Sequence, residues 1–219
     1  MMDFSALADR IDAVLPQTQC TQCGYAGCRP YADALARGEA AINQCPPGGE
    51  SGIHALARIL HQPYLPLNPT HGVTGPKMLA VIDESSCIGC TLCIKACPVD
   101  AILGAHKQMH TVITDECTGC ELCVAPCPVD CISMQALPDG EWDYTVPASH
   151  ARQVADAARE RYQSRLHRLG RIPAKRMVDP RTAQADEHTS NTVQAKKAAI
   201  AAAMARVQRQ VKIDTSQKT

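Results

Sequence analysis

Aromatic side chains are scarce in this chain of 219 residues: one Trp, one Phe and five Tyr make up 3% of it. Aromatic residues bury the most area per side chain, so a large apolar core is excluded and something else must hold part of the fold. Long hydrophobic runs are also missing. The longest, 198–205, is alanine-rich and falls far short of the roughly 18 residues a membrane span needs. No export signal is recognisable: the opening MMDFSALADRIDAVL carries Asp3, Asp9 and Asp12, and no basic stretch precedes an apolar one. A cytoplasmic chain is therefore expected, and with it reduced or metal-bound thiols in place of disulfides. The eight histidines form no ligand pattern, no Gly-rich phosphate loop follows a strand, and no Ser/His/Asp or paired-carboxylate arrangement stands out. Nothing suggests a substrate pocket.

Cysteine is what the chain has in excess, with thirteen. Two sets repeat one spacing, C-x2-C-x2-C-x3-C-P. They are Cys87, Cys90, Cys93 and Cys97 before Pro98, and Cys117, Cys120, Cys123 and Cys127 before Pro128. The surrounding runs, CIGCTLCIKACPVDAI and CTGCELCVAPCPVDCI, align without a gap at an offset of thirty residues. A cubane cluster needs one thiolate at each of four irons. Two-residue gaps let one loop wrap three corners, and in two-cluster ferredoxins the fourth thiolate of each run reaches the other cluster. That rule groups Cys87, Cys90, Cys93 and Cys127 as one ligand set, and Cys117, Cys120, Cys123 and Cys97 as another. Gly89 and Gly119 lie inside the loops, where positive φ would let a cluster approach the backbone. Ile88, Leu92, Ile94, Val99 and Ile102, with Leu122, Val124, Val129 and Ile132, are expected to form an apolar shell. Zinc is the competing metal, but zinc sites place two Cys-x2-Cys knuckles far apart and not three cysteines in one loop.

A third set, Cys20, Cys23, Cys28 and Cys45 before Pro46, has the spacing C-x2-C-x4-C-x16-C-P. On spacing alone zinc stays open here. Gly24 and Gly27 suit a loop around a cluster, and two clusters downstream favour a third. Cys131 is left over. It aligns with Ala101 of the first copy and reads as a small buried hydrophobe.

Hydrophobic periodicity predicts a helix over 4–15, ended by Pro16, a second over 30–37 with Gly38 as its C-terminal cap, and a third over 53–60. Residues 62–77, with four prolines and two glycines, read as a linker or extended crossover. Strand-prone runs at 78–83 and 111–115 precede the two cysteine copies. The whole reads as an α+β chain: a small helical [4Fe–4S] domain (1–62), a linker (63–76), a bacterial ferredoxin-like domain with two [4Fe–4S] clusters (77–146), and a basic helical tail (147–219). Within the tail, helices are expected over 150–169 and 191–213.

The net charge of zero hides an asymmetry: residues 1–150 hold 7 Lys+Arg against 16 Asp+Glu, and residues 151–219 hold 15 against 6. Such polarity more often concerns partners than fold.

With these residues in hand, the chain resembles a known family. The runs IDAVLPQTQCTQCGYAGCRPYADALARG (11–38), INQCPPGGE (42–50), MLAVIDESSCIGCTLCIKACPVDAILGA (78–105) and MHTVITDECTGCELCVAPCPVDCISM (109–134) closely resemble the RnfB/RsxB subunit of the bacterial Rnf/Rsx ion-translocating oxidoreductase complex. The resemblance spans about residues 9–137 and includes all twelve assigned cysteines. It implies three [4Fe–4S] clusters and electron transfer with redox protein partners, among them a ferredoxin and the other subunits of the complex. Family members usually begin with a transmembrane helix. This chain opens on its first amphipathic helix, so the expectation is a cytoplasmic subunit docked peripherally on the inner membrane's cytoplasmic face. The alternative is a regulatory or nucleic-acid-binding iron–sulfur protein that uses its basic tail. No DNA-binding motif or aromatic stacking platform accompanies that tail, so nucleic acid is not expected as a partner.

Overall fold

The computed structural model describes residues 4–137 and 142–171. The helix expected over 191–213 lies outside the described residues.

Helix α1 (Phe4–Asp12) buries Ala8 and Ile11, and its chain then tightens through Val14 N–H to Ile11 O (3.1 Å) and Leu15 N–H to Asp12 O (3.2 Å). It stops earlier than its periodicity suggests, because Pro16 disfavours helical backbone at the residue before it. Helix α2 (Cys28–Arg37) closes on Gly38, whose φ of 74° only glycine adopts without strain; Gly38 N–H bonds Leu35 O and Glu39 N–H bonds Ala34 O. Helix α3 (Gly49–Leu60) starts before the expected residue 53 because the turn over Pro46–Gly48 leads directly into it. These three helices enclose a small core in which Ile11, Leu15, Tyr31, Leu35, Ile42 and Leu56 are almost wholly buried.

The proline-rich stretch after α3 is extended and ordered against this unit. Asn43 Nδ2 donates to Pro66 O (2.7 Å), and Asn68 N–H donates to Asn43 O (2.9 Å).

The repeated half follows. Strand β1 (Met78–Ile82) precedes the first cysteine loop, which runs into the short helix α4 (Leu92–Ala96) and strand β2 (Ile102–Leu103). Strand β3 (Thr111–Val112) precedes the second loop, and β4 (Ile132–Ala136) follows it. The strand before copy one pairs with the strand after copy two, Met78↔Ala136 to Ile82↔Ile132, and β2 pairs with β3; both pairs are antiparallel. The duplication is visible in the backbone. Left-handed φ values recur thirty residues apart at Gly89 and Gly119 (67° and 71°), Thr91 and Glu121 (65° and 64°), and Asp100 and Asp130 (54° and 50°). Asp83 N–H bonds Cys131 O and Ile113 N–H bonds Ala101 O, each at 2.8 Å, again thirty residues apart.

Helix α5 (His150–Arg168) is capped by Ser149, whose hydroxyl accepts from Arg152 N–H (3.1 Å). It lies across both halves. Arg152 is buried and donates to the carbonyls of Ala13 (2.6 Å) and Leu15 (3.1 Å), which satisfies groups left free at the end of α1. Arg159 pairs with buried Asp12 (2.7 Å), Arg161 with Glu116 (2.5 Å), and Arg165 and Arg168 both with Asp100. This corrects the reading of the charge asymmetry. Over α5 the basic residues hold helix to body, because the acidic groups they complement belong to the same fold. No helix among the described residues is long and apolar enough to cross a membrane.

Candidate metal centres

The loop entering the first centre is strained. Gln17, Gln19 and Thr21 all have left-handed φ (56°, 56° and 63°), at a cost of the order of 1 kcal/mol or more each. A chain of buried amides holds them there. Gln17 Nε2 donates to Asp12 O (2.8 Å), Gln19 Nε2 donates to Gln17 Oε1 (2.9 Å), and Gln19 Oε1 accepts Cys28 N–H (2.9 Å). Cys20, from this loop, meets Cys23, Cys28 at the start of α2, and Cys45. Burial pushes the Cys28 thiol up to about 12 and Cys45 well above the usual thiol range, and the charges of the neighbouring cysteines push the same way. Four buried thiols that mutually oppose ionisation suit a site whose cations compensate four thiolates.

Two further hollows lie in the repeated half. One is lined by Cys97 from copy one together with Cys117, Cys120 and Cys123 from copy two, walled by Ala80, Val99, Ile102 and Met134. The other is lined by Cys87, Cys90 and Cys93 from copy one with Cys127 from copy two, walled by Ile82 and Ile132. Cys131, buried as expected, lines this second hollow as well. No three of the described His, Cys, Asp or Glu side chains converge on one point as a single bound ion requires; the thiols stand around space instead.

Backbone N–H groups aim at these sulfurs. Ala101 N–H reaches Cys97 Sγ (3.2 Å) and His110 N–H reaches Cys87 Sγ (3.4 Å). In the first hollow, burial pushes Cys120 up to about 11 and Cys123 up to about 12. Thiol quartets, amide donors and apolar walls fit an iron–sulfur cluster, whose reduced charge such donors stabilise.

Two sequence expectations change. Gly89 and Gly119 do have positive φ, but what lies where their Cβ would be is neighbouring backbone. Gln108 N stands 2.5 Å from that position at Gly89, and Met78 O 2.2 Å from it at Gly119. These glycines admit the strand of the other half. Ile88, Leu92 and Val129 are not buried shell: they are 57%, 39% and 38% exposed, so the hollow with Cys127 lies near the surface.

His110 joins this hollow without a ligand pattern in the sequence to announce it. It is 2% exposed, and its Nδ1 sits 3.2 Å from Cys93 Sγ. Seventeen residues separate the two, and only the pairing of β2 with β3 brings them together. Gly104 makes room for the ring, since a Cβ there would lie 2.0 Å from His110 Cδ2. A glycine and a histidine flanking a hairpin are the only sequence signal, and a weak one.

Comparison with known proteins agrees with this chemistry. Residues 80–134 match the family model of the 4Fe-4S dicluster domain, and residues 15–47 match one described as "Putative Fe-S cluster". The chain is 61% identical over 160 residues to the RnfB subunit of the ion-translocating oxidoreductase complex of Thiobacillus denitrificans, covering 72% of this chain and 85% of that protein. It is 60% identical over 151 residues to the same subunit of Azoarcus sp., covering 68% and 82%. For its counterpart in Hahella chejuensis the identity is 62% over 148 residues, covering 67% and 75%.

Proposed function

This chain belongs to the RnfB family of ion-translocating oxidoreductase subunits, and from that premise we propose that it relays single electrons through three [4Fe–4S] clusters held by twelve of its cysteines. It is an iron–sulfur electron-transfer subunit. Cys20, Cys23, Cys28 and Cys45 would hold one cluster, Cys87, Cys90, Cys93 and Cys127 the second, and Cys97, Cys117, Cys120 and Cys123 the third. The observation that carries this reading is that each hollow of the repeated half is ringed by three thiols of one copy and one of the other. Each cluster, when bound, supplies one-electron redox chemistry at low potential.

The protein's own part is to keep that chemistry separate from water and to tune it. Burial around Cys23, Cys28 and Cys45, and around Cys93, Cys97, Cys123 and Cys127, limits solvent at the sulfurs. The N–H groups of Ala101 and His110 stabilise negative charge there. Exchange of one cysteine between the copies ties the halves together where apolar packing is thin, so that metal-binding free energy becomes folding free energy.

The partners that follow are the other subunits of such a complex and a small redox protein such as a ferredoxin, with attachment to the membrane through those subunits. A nucleic-acid role is not favoured. The arginines of α5 that motivated it are spent on Asp12, Asp100, Glu116 and Asp156 of the same chain. Stopped-flow mixing of the anaerobic holoprotein with dithionite-reduced ferredoxin tests the relay. Bleaching of its visible absorption is expected; no bleaching with reduced ferredoxin, although dithionite alone reduces the protein, would exclude a ferredoxin donor.

A further inference from the structure

We propose that Cys131 is a reserve ligand for the site made by Cys87, Cys90, Cys93 and Cys127, an inference that rests on the reading of that site as an iron–sulfur centre. Five thiols line the hollow where a cubane needs four. Cys131 Sγ lies 3.5 Å from Cys127 Sγ, and the thiol is also within hydrogen-bonding reach of Cys87.

The position of Cys131 is rigid. Its carbonyl accepts Asp83 N–H at 2.8 Å, and the next residue, Ile132, pairs with Ile82 between β4 and β1. A change of χ1 rotamer moves a cysteine sulfur by roughly 3 Å, comparable with the gap to Cys127, so exchange needs no movement of the backbone. The other half supplies the comparison. Ala101 stands at the equivalent place, with its carbonyl bonded to Ile113 N–H at 2.8 Å and its N–H on Cys97 Sγ at 3.2 Å. The two frames match and differ by one sulfur atom. A need for a small buried residue would be met by alanine, as Ala101 shows. Contact with two ligand thiols is what alanine would not provide.

The exchange is redox-neutral. The iron–sulfur bond to Cys127 breaks, the bond from Cys131 forms, and the Cys131 thiol proton passes to Cys127. No further reactant is needed. The site that has the spare is the one near the surface, where Ile88 and Val129 are exposed and loss of a ligand to solvent is easiest.

Anaerobic wild type, Cys127→Ala, Cys131→Ala, the double variant and Cys97→Ala are compared by iron per chain and by EPR of the reduced protein. Wild type, Cys127→Ala and Cys131→Ala are expected to hold the same iron, the double variant and Cys97→Ala about a third less. A changed EPR line shape in Cys127→Ala with unchanged iron is the signature of the exchanged ligand. If Cys127→Ala loses as much iron as the double variant, or if the double variant loses none, the reserve role is overturned. Adding Ala101→Cys to Cys97→Ala keeps the test independent of folding at residue 127, with restored iron expected and continued loss counting against the exchange. A wild-type chain without iron overturns the underlying reading instead, and is told apart because no variant then differs from it.

Discussion

Thr118 donates its hydroxyl hydrogen to the carbonyl oxygen of Thr18 at 3.0 Å, a contact across one hundred residues that joins the loop before Cys20 to the loop between Cys117 and Cys120. Both threonines are buried, and Thr18 Oγ1 in turn stands 3.4 Å from Cys20 Sγ. The first centre and the Cys97-containing centre are therefore linked by hydrogen bonds. Thr118→Val keeps the shape and leaves the Thr18 carbonyl unpaired, which should cost about 1–3 kcal/mol. Urea unfolding of the anaerobic holoprotein, followed by cluster absorption, measures it. No shift in midpoint would mean that the contact contributes nothing to holding the halves together.

Asp12 is the second junction. Its carboxylate accepts from Gln17 Nε2 at 3.0 Å and pairs with Arg159 of α5 at 2.7 Å, with its side chain only 8% exposed. Asp12→Ala leaves a partly buried guanidinium and an amide without their partner. A loss of about 3 kcal/mol is expected, and adding Arg159→Met should recover part of it. Additive losses in the two variants would show that the pair is not coupled.

Gly89→Ala and Gly119→Ala meet backbone at 2.5 and 2.2 Å and also place alanine at φ near 70°. Each should cost more than about 2 kcal/mol and lower iron loading of the repeated half. The distinguishing result is in the first centre, whose cluster signal should remain. Variants that load and unfold like wild type would show that neither strand approaches its loop this closely.

His110→Ala removes a ring nitrogen 3.2 Å from Cys93 Sγ. A donor to sulfur stabilises the reduced, more negative centre, so its loss should lower that centre's midpoint potential by tens of mV or so. Potentiometric EPR titration reads this, and the other two centres serve as internal references. An equal shift in all three would indicate a general structural effect.

Much of this arrangement is legible in the residues themselves. The doubled cysteine run, the Pro16 and Gly38 stops and the strand-prone runs before Cys87 and Cys117 all act over a few residues, and each appears where local chemistry puts it. What was not legible depends on pairing at long range. His110 meets Cys93 only because β3 lies beside β2. Gly119 reads as room for a cluster until Met78 O is found in that space. The arginines of α5 read as a surface for partners because Asp12 and Asp100 are distant in sequence, and their meeting is a property of the folded body alone.

The central claim is tested most directly by measuring iron, acid-labile sulfide and zinc in the anaerobically purified chain, with EPR of the dithionite-reduced sample. About twelve iron and twelve sulfide per chain, with signals from three interacting [4Fe–4S] centres and negligible zinc, is the expected result. A folded, colourless protein that carries zinc, or no metal, would contradict it.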